Sequence, residues 1–414
     1  MKSPLNSRLA ALFQNLILCV VVTVVGLALA EGFLHLLKSD QRRINHRDFY
    51  EPDPLLGWKK KAGTQRSIRT AEFSSNETVN SRGLRGKEYP YEKPPGEFRI
   101  LILGDSFAEG YTVNEEDLFS ELLKQMLNNN INNRLLYEVI NAGTVGYATD
   151  QELLFFETEG KKYAPDLVLL MFYENDVLEN ISITEMYSKY KPLFRLVNDQ
   201  LILEKAPSDD SGRGQMALEK SRERPSLKSR LQRLLLFRSA NELLIRLGLL
   251  SAHNEVEDSQ KRYFQVLAIR DTPEVEYAWL LTDRLLRRLK DAVSEIEAKL
   301  VVFYIPSVYA LDDRVWLDTS RRFGLELGEW DLKKPEMRLG MVCQDLKIPF
   351  MSIGDIFRSR APELGQGPSC FYHIGDGHWN KLGHRQVAEA LFDFLARINA
   401  LVPAASLSTN GLVK

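Results

Sequence analysis

The stretch Phe98-Arg99-Ile100-Leu101-Ile102-Leu103-Gly104-Asp105-Ser106 decides the fold. Its first six residues form a short, nearly continuous apolar run, which reads as a strand buried on both faces of a parallel sheet. Gly104 ends the run, and helix-like sequence follows from about Glu115 to Leu127. Ser106 therefore falls where a strand turns toward the next helix, at the carboxyl edge of a sheet. Open α/β sheets hold their ligands at that edge.

The same rhythm recurs along the chain. Tyr137-Glu138-Val139-Ile140 is a second strand candidate, followed by a helix-like stretch from Asp150 to Phe156. Leu167-Val168-Leu169-Leu170-Met171-Phe172 is a third, introduced by Pro165-Asp166. A helical stretch from Glu274 to Lys299 leads into Leu300-Val301-Val302-Phe303-Tyr304-Ile305, and Pro349-Phe350-Met351-Ser352-Ile353 is the fifth strand. A terminal helix from Leu382 to Ile398 has Asn380 as its N-cap and Val387, Leu391, Phe394 and Leu395 on its apolar face. Strands alternating with helices predict a three-layer α/β/α fold with a mostly parallel central sheet.

Polar motifs stand at the ends of three of these strands, and a fourth precedes the last helix. They are Gly104-Asp105-Ser106, Asn141-Ala142-Gly143-Thr144-Val145-Gly146, Tyr173-Glu174-Asn175-Asp176 and Asp376-Gly377-His378-Trp379-Asn380. A serine hydroxyl is a poor nucleophile at neutral pH. It needs a base to take its proton and a third group to hold that base in the right tautomer. Ser106, His378 and Asp376 supply those residue types. Of the six histidines, His35 and His46 lie beside an apolar segment, His253 in a polar stretch and His384 inside the last helix, leaving His373 as the competing base. Taken singly, each motif has a plainer reading: a turn with a helix-capping serine, a glycine-rich connection, a turn-forming asparagine.

In this order, over roughly residues 98 to 398, the four motifs resemble those of the SGNH (GDSL-type) hydrolase superfamily. The resemblance implies an acyl-enzyme at Ser106. It also implies an oxyanion hole made by the Ser106 N–H, the Gly146 N–H and the Asn175 side chain, with Asn141 and Asp176 holding the loops. Two departures stand out. Tyr173 occupies the glycine position of the family's Gly-x-Asn-Asp and changes the pocket wall. Asp376 lies two residues before His378, and Gly375 stands at the usual three-residue spacing. Asp-x-His-Trp resembles the variant of the membrane-anchored, alginate O-acetyltransferase-like branch. The function this implies is that of a serine esterase or O-acyltransferase acting on acetyl esters of an envelope or exported polysaccharide. A catalytically silent SGNH-like domain that binds glycan or scaffolds a complex is the alternative.

The amino terminus carries a second signal. Leu16 to Ala30 contains no charge and Thr23 as its one polar residue. About 15 residues reach only ~22 Å of the ~30 Å hydrocarbon layer. Extension over Leu9 to Leu37 gives a length that spans, so the expectation is an uncleaved N-terminal transmembrane helix contacting the lipid bilayer. Ala28-Leu29-Ala30 could instead be a signal-peptidase site, and a buried core helix is the remaining reading. Lys2 and Arg8 precede the segment, while Lys38, Arg42, Arg43 and Arg47 follow it, a bias that taken alone places the following domain in the cytoplasm. Large domains translocate largely regardless of flanking charge, and the anchored proteins it resembles work outside. The expectation is a single-pass protein with an extracytoplasmic catalytic domain.

With 414 residues and a net charge of −2, nothing calls for a nucleic-acid partner. No Cys or His spacing suggests a metal, and no cofactor is expected. Cys343 and Cys370 could pair, or remain as two free thiols, in an oxidising compartment. The expected organisation is an anchor and juxtamembrane segment at 1 to 47, an irregular lead-in at 48 to 97, a catalytic domain at 98 to 400 and a tail at 401 to 414. An insertion at about 185 to 272 interrupts the catalytic domain. Within it, Glu204 to Arg224 reads as a mobile polar loop. Leu227, Leu231, Leu234, Leu235 and Phe237, set among basic residues, read as an amphipathic helix suited to a lid, a membrane surface or packing on the core. In the lead-in, Asn80-Ser81-Arg82-Gly83-Leu84-Arg85 also resembles a segment of the anchored branch. Arg85 either faces the site or is a solvated loop arginine.

Overall fold

A computed structural model of the chain describes residues 49–204 and 261–402, less 131–134, 183–184, 187–188 and 192, with scattered positions between 15 and 33. The chain divides into two compact units, residues 1–42 with 209–254 and residues 43–208 with 255–414. In the second unit the lead-in is not irregular. Strand β1 (Tyr50–Asp53) pairs antiparallel with β2 (Gly57–Lys60), and β3 (Gln65–Arg69) pairs with β4 (Ser74–Thr78). The inward positions of these hairpins include Lys60, Ser75 and Glu77, all buried. Apolar alternation, the usual mark of a half-buried strand, is therefore hidden.

The apolar runs form one five-stranded parallel sheet. Its members are β5 (Glu97–Gly104), β6 (Leu136–Asn141), β7 (Leu167–Tyr173), β12 (Lys299–Ile305) and β13 (Phe350–Ser352). Two small hairpins intervene in the chain, β8 (Glu185–Met186) with β9 (Lys189–Tyr190) and β10 (Leu193–Val197) with β11 (Gln200–Glu204). The order across the sheet is β13-β12-β7-β5-β6. From β5 the chain steps outward to β6, then returns to the far side of β5 with β7. In such sheets the crevice for a ligand opens where the order reverses, beyond the carboxyl ends of the two strands flanking the switch. Here those strands are β5 and β7.

Helices cover both faces. Ile100 and Ile102 face a core with Leu123 and Leu127 of α2 (Phe119–Asn130) and Val387, Leu391, Phe394 and Leu395 of α7 (Lys381–Arg397). Leu101 and Leu103 face the opposite core with Leu153 of α3 (Thr149–Thr158), Leu285 and Leu289 of α5 (Pro273–Glu295) and Leu339 of α6 (Lys334–Asp345). Two further short helices, α1 (Ser106–Glu109) and α4 (Asp176–Glu179), follow β5 and β7 directly. Asn380 Oδ1 caps α7 by accepting from the N–H groups of Leu382 at 2.9 Å and Gly383 at 3.1 Å. A cap of this kind contributes about 1 kcal/mol.

Cys343 lies in the core on the Leu101 face and Cys370 packs against the core on the Ile100 face. Both thiols are free. With the sheet between them they cannot approach to the ~6 Å Cα separation that a disulfide needs.

Among the described residues no helix is long and apolar enough to cross a membrane. Most of the segment from Leu9 to Leu37 lies outside the described residues; of its described members, Leu18, Val22, Leu29 and Phe33 are exposed. The basic helix expected at 227 to 238 and nearly all of the polar loop at 204 to 224 also lie outside them, as does the tail from 403.

Candidate active site

Four segments at the carboxyl edge of the sheet supply the polar groups of the site. Asp105 caps α1, its Oδ1 accepting the Phe107 N–H at 2.8 Å, so Ser106 opens the helix directly beyond β5. The loop before α7 brings in an imidazole. Ser106 Oγ lies 2.7 Å from His378 Nε2, and His378 Nδ1 lies 2.8 Å from Asp376 Oδ1. A carboxylate accepts only, so the Nδ1–H donates to Asp376, and Nε2 is left to accept the serine proton. The histidine loop is fixed on both sides. The His373 N–H donates to the His378 carbonyl at 2.8 Å, Trp379 is fully buried, and Phe107 packs against the His378 ring at 4.5 Å.

Burial pushes the Asp376 carboxyl up, but the hydrogen bond and charge of His378 and the hydroxyl of Tyr111 outweigh it and hold the group below the usual carboxylate range. Tyr111 was not singled out by the sequence. Its hydroxyl donates to Asp376 at 2.9 Å and lies 3.0 Å from His378 Nδ1. Burial and the charge of Asp376 push that phenol well above its ordinary range, so it stays a donor. No local signal marks an aromatic five residues after a serine as a partner of a distant carboxylate.

The motif after β6 folds tightly beside α1. Asn141 ties it down: its Nδ2 donates to the Ala108 carbonyl at 2.7 Å and its Oδ1 accepts the Gly143 N–H at 2.9 Å. Gly146 sits at φ +75°, a conformation costly for any residue with a Cβ. Beyond β7, Asn175 stands at the start of α4 with no capping bond from its side chain, and its Oδ1 is buried without a partner. Asp176 accepts from Thr149 Oγ1 at 3.1 Å, tying the β7 loop to α3. Neither the Ser106 N–H, the Gly146 N–H nor the Asn175 side chain donates to any described residue. Three donors left open at one edge of a sheet are available to an incoming oxygen.

Carboxyl groups crowd beneath this edge. Asp105 is pushed up to about 6 by burial, partly offset by the charge of His378. Glu152 and Asp176 are pushed well above the carboxylate range by burial first and then by neighbouring carboxylates, Asp105 and Asp150 acting on both. Among the described residues no group of three or more His, Cys, Asp or Glu is arranged to hold a metal.

Two sequence readings need correction or placement. Arg85 is neither solvated nor directed at the site: it is buried, and its guanidinium donates to the carbonyls of Glu109 at 2.6 Å, Gly110 at 2.8 Å and Val113 at 2.7 Å. It holds the chain leaving α1. His373, the competing base, packs on Phe73 at 4.9 Å, and burial lowers its pKa. It is His378, not His373, that reaches Ser106.

No family model and no curated protein matches the sequence. Solved structures similar to it include that of TesA, at 13% identity over 72% of this chain and 99% of that one, with a TM-score of 0.37. The acetyl xylan esterase AlAXEase is similar at 12% identity over 72% of this chain and 98% of its own, with a TM-score of 0.37. The psychrotrophic esterase EstA from Pseudoalteromonas sp. is similar at 13% identity over 73% of this chain and 98% of its own, with a TM-score of 0.36.

Proposed function

We propose that the protein is a serine ester hydrolase or O-acyltransferase of the SGNH type, with Ser106 as nucleophile, His378 as base and Asp376 as the group that orients it. The observation that carries this reading is the unbroken chain Ser106 Oγ, His378 Nε2, His378 Nδ1, Asp376 Oδ1, with steps of 2.7 and 2.8 Å, beside three open donors. His378 Nε2 takes the hydroxyl proton as Ser106 Oγ bonds to the ester carbonyl carbon. The carbonyl oxygen becomes an oxyanion held by the Ser106 N–H, the Gly146 N–H and Asn175, each donor contributing roughly 3 kcal/mol to the barrier reduction. The intermediate collapses, the carbon–oxygen bond to the alcohol breaks, and His378 returns its proton to the leaving oxygen. An incoming hydroxyl then repeats the sequence on the acyl-Ser106 ester, its proton passing to His378.

The acyl acceptor is water in a hydrolase and a sugar hydroxyl in a transferase. The Asp376-Gly377-His378-Trp379 sequence, with its resemblance to polysaccharide-modifying proteins, supports transfer of acetyl groups on an envelope or exported glycan. The apolar sequence from Leu9 to Leu37 supports an anchor in the bilayer with the catalytic unit outside the cytoplasm. Fluorophosphonate labelling of the full chain, with the adduct mapped by mass spectrometry, tests the nucleophile. Labelling anywhere but Ser106, or none in folded protein, overturns the reading and favours a silent binding domain. An activated acetyl ester offered with oligosaccharides then separates transfer from acceptor-independent acetate release. Alkaline phosphatase fused after Lys414 is active if the topology is as proposed, and inactive if the domain is cytoplasmic.

A further inference from the structure

An amide is planar, so the Val145 C=O and the Gly146 N–H, which belong to one peptide unit, point in opposite directions and turn together. Whatever grips the carbonyl therefore aims the N–H. The Val145 carbonyl accepts the indole Nε1–H of Trp58 at 2.9 Å. Trp58 is fully buried in β2, 87 residues away in sequence, and its own carbonyl accepts the Tyr147 hydroxyl at 2.6 Å, closing a second link to the same loop. The preceding edge of the loop is gripped as well. The Val145 N–H donates to Glu109 Oε2 at 2.9 Å, and Glu109, wholly buried, is itself held by the Tyr50 hydroxyl at 2.6 Å and by Arg66. Lys60 donates to the Gly143 carbonyl from below.

A clamp is needed because the position is otherwise loose. Glycine accepts both signs of φ at little cost, so a peptide next to Gly146 can flip cheaply. The flipped peptide would aim a carbonyl where the oxyanion forms, replacing an attractive dipole by a repulsive one. We propose that Trp58 is a positioning residue of the oxyanion hole: its indole N–H locks the Val145–Gly146 peptide in the orientation that presents the Gly146 N–H to the developing charge. This rests on the acyl-transfer reading above. It gives the first hairpin of the lead-in a part in the chemistry, although none of its residues reaches Ser106.

The test is Trp58→Phe in the full chain, beside a variant carrying benzothienylalanine at position 58, which keeps the bicyclic shape and lacks the N–H. Losing one oxyanion donor costs about 100-fold to 1000-fold in kcat; a misaimed donor should cost at least about tenfold, with KM for an activated acetyl ester within about twofold. Affinity for a boronic acid that mimics the tetrahedral state should fall in parallel. If Trp58→Phe unfolds the protein, the benzothienylalanine variant carries the comparison. Wild-type kcat in that folded variant overturns the proposal, as does a crystal structure showing the Val145–Gly146 peptide unmoved. A wild-type protein that fails to label at Ser106 instead overturns the acyl-transfer reading, and this inference with it.

Discussion

The Tyr111 hydroxyl donates to both oxygens of Asp376, at 2.9 and 3.1 Å. This contact answers a difficulty raised by the two-residue spacing of Asp376 and His378, since successive residues of a loop point in different directions. Gly377, between them, takes φ +89°, which turns the two side chains toward each other. Tyr111 then pins the carboxylate from the far side, and the Ser75 hydroxyl holds the Tyr111 carbonyl at 2.5 Å.

Tyr111→Phe removes one donor to Asp376 and keeps the ring. The carboxylate is then held from one side only, so it orients the His378 ring less firmly. Turnover should fall about tenfold, the scale of one hydrogen bond to a charged group. Steady-state kinetics on an activated ester check it, and unchanged turnover would show that Tyr111 only packs.

Asp376→Asn should lower kcat by up to about 10⁴-fold with substrate binding and melting temperature nearly unchanged, because the amide can favour the wrong imidazole tautomer. Steady-state kinetics on an activated ester measure it. Near-normal turnover would mean that Tyr111 alone can orient the ring.

Asn175→Ala should lower kcat by about 100-fold or more and leave KM close to wild type, since the donor is needed only once charge develops. Because Asn175 makes no side-chain cap bond, the melting temperature should fall little. Equal losses in kcat and stability would instead mark Asn175 as part of the loop's scaffold.

Asp105 predicts a pH dependence of stability. Burial raises its folded pKa to about 6, above the unfolded carboxylate value. A raised folded pKa means the group's contribution is complete below the unfolded pKa, near 4, and is lost as pH rises through about 6. The groups that influence it are His378 and the Phe107 N–H, which favour its charge, and Glu109, which opposes it; the neighbouring Glu152 and Asp176 are themselves raised by the charge of Asp105. Asp105→Asn can keep the cap on the Phe107 N–H. The stability difference between the two proteins, read from denaturant unfolding, should therefore move in favour of the variant between pH 4 and pH 7, by an amount on the order of 2 kcal/mol. A constant difference across that range would remove the argument.

The inner sheet strands were legible because a strand buried on both faces is nearly continuously apolar, as at 98, 167 and 300, and the shorter runs at 137 and 350 repeat the pattern at the edges. The order in which they pair was not legible, since parallel register depends on how helices pack rather than on any strand's own residues. At the site, Ser106, Asp376 and His378 were named from motifs, and His378 stands within hydrogen-bond distance of the other two. The supporting residues were not. Trp58, Lys60, Arg66 and Glu109 look like surface hairpin and helix residues in sequence, because only three-dimensional proximity turns their charges and ring nitrogen inward. Arg85 shows the same blindness in reverse, an arginine expected in solvent or at the ligand that instead satisfies three backbone carbonyls.

Ser106 and His378 are separated by 272 residues. At roughly 5–20 residues per second, a ribosome releases Ser106 some 15 to 50 seconds before His378. Within that interval β5 and β7 can pair while the Ser106 hydroxyl still lacks its histidine partner. The hydrogen-bonded chain through Ser106, His378 and Asp376 is thus among the last contacts of the molecule to close, and a chain cut short before Asp376 lacks it altogether.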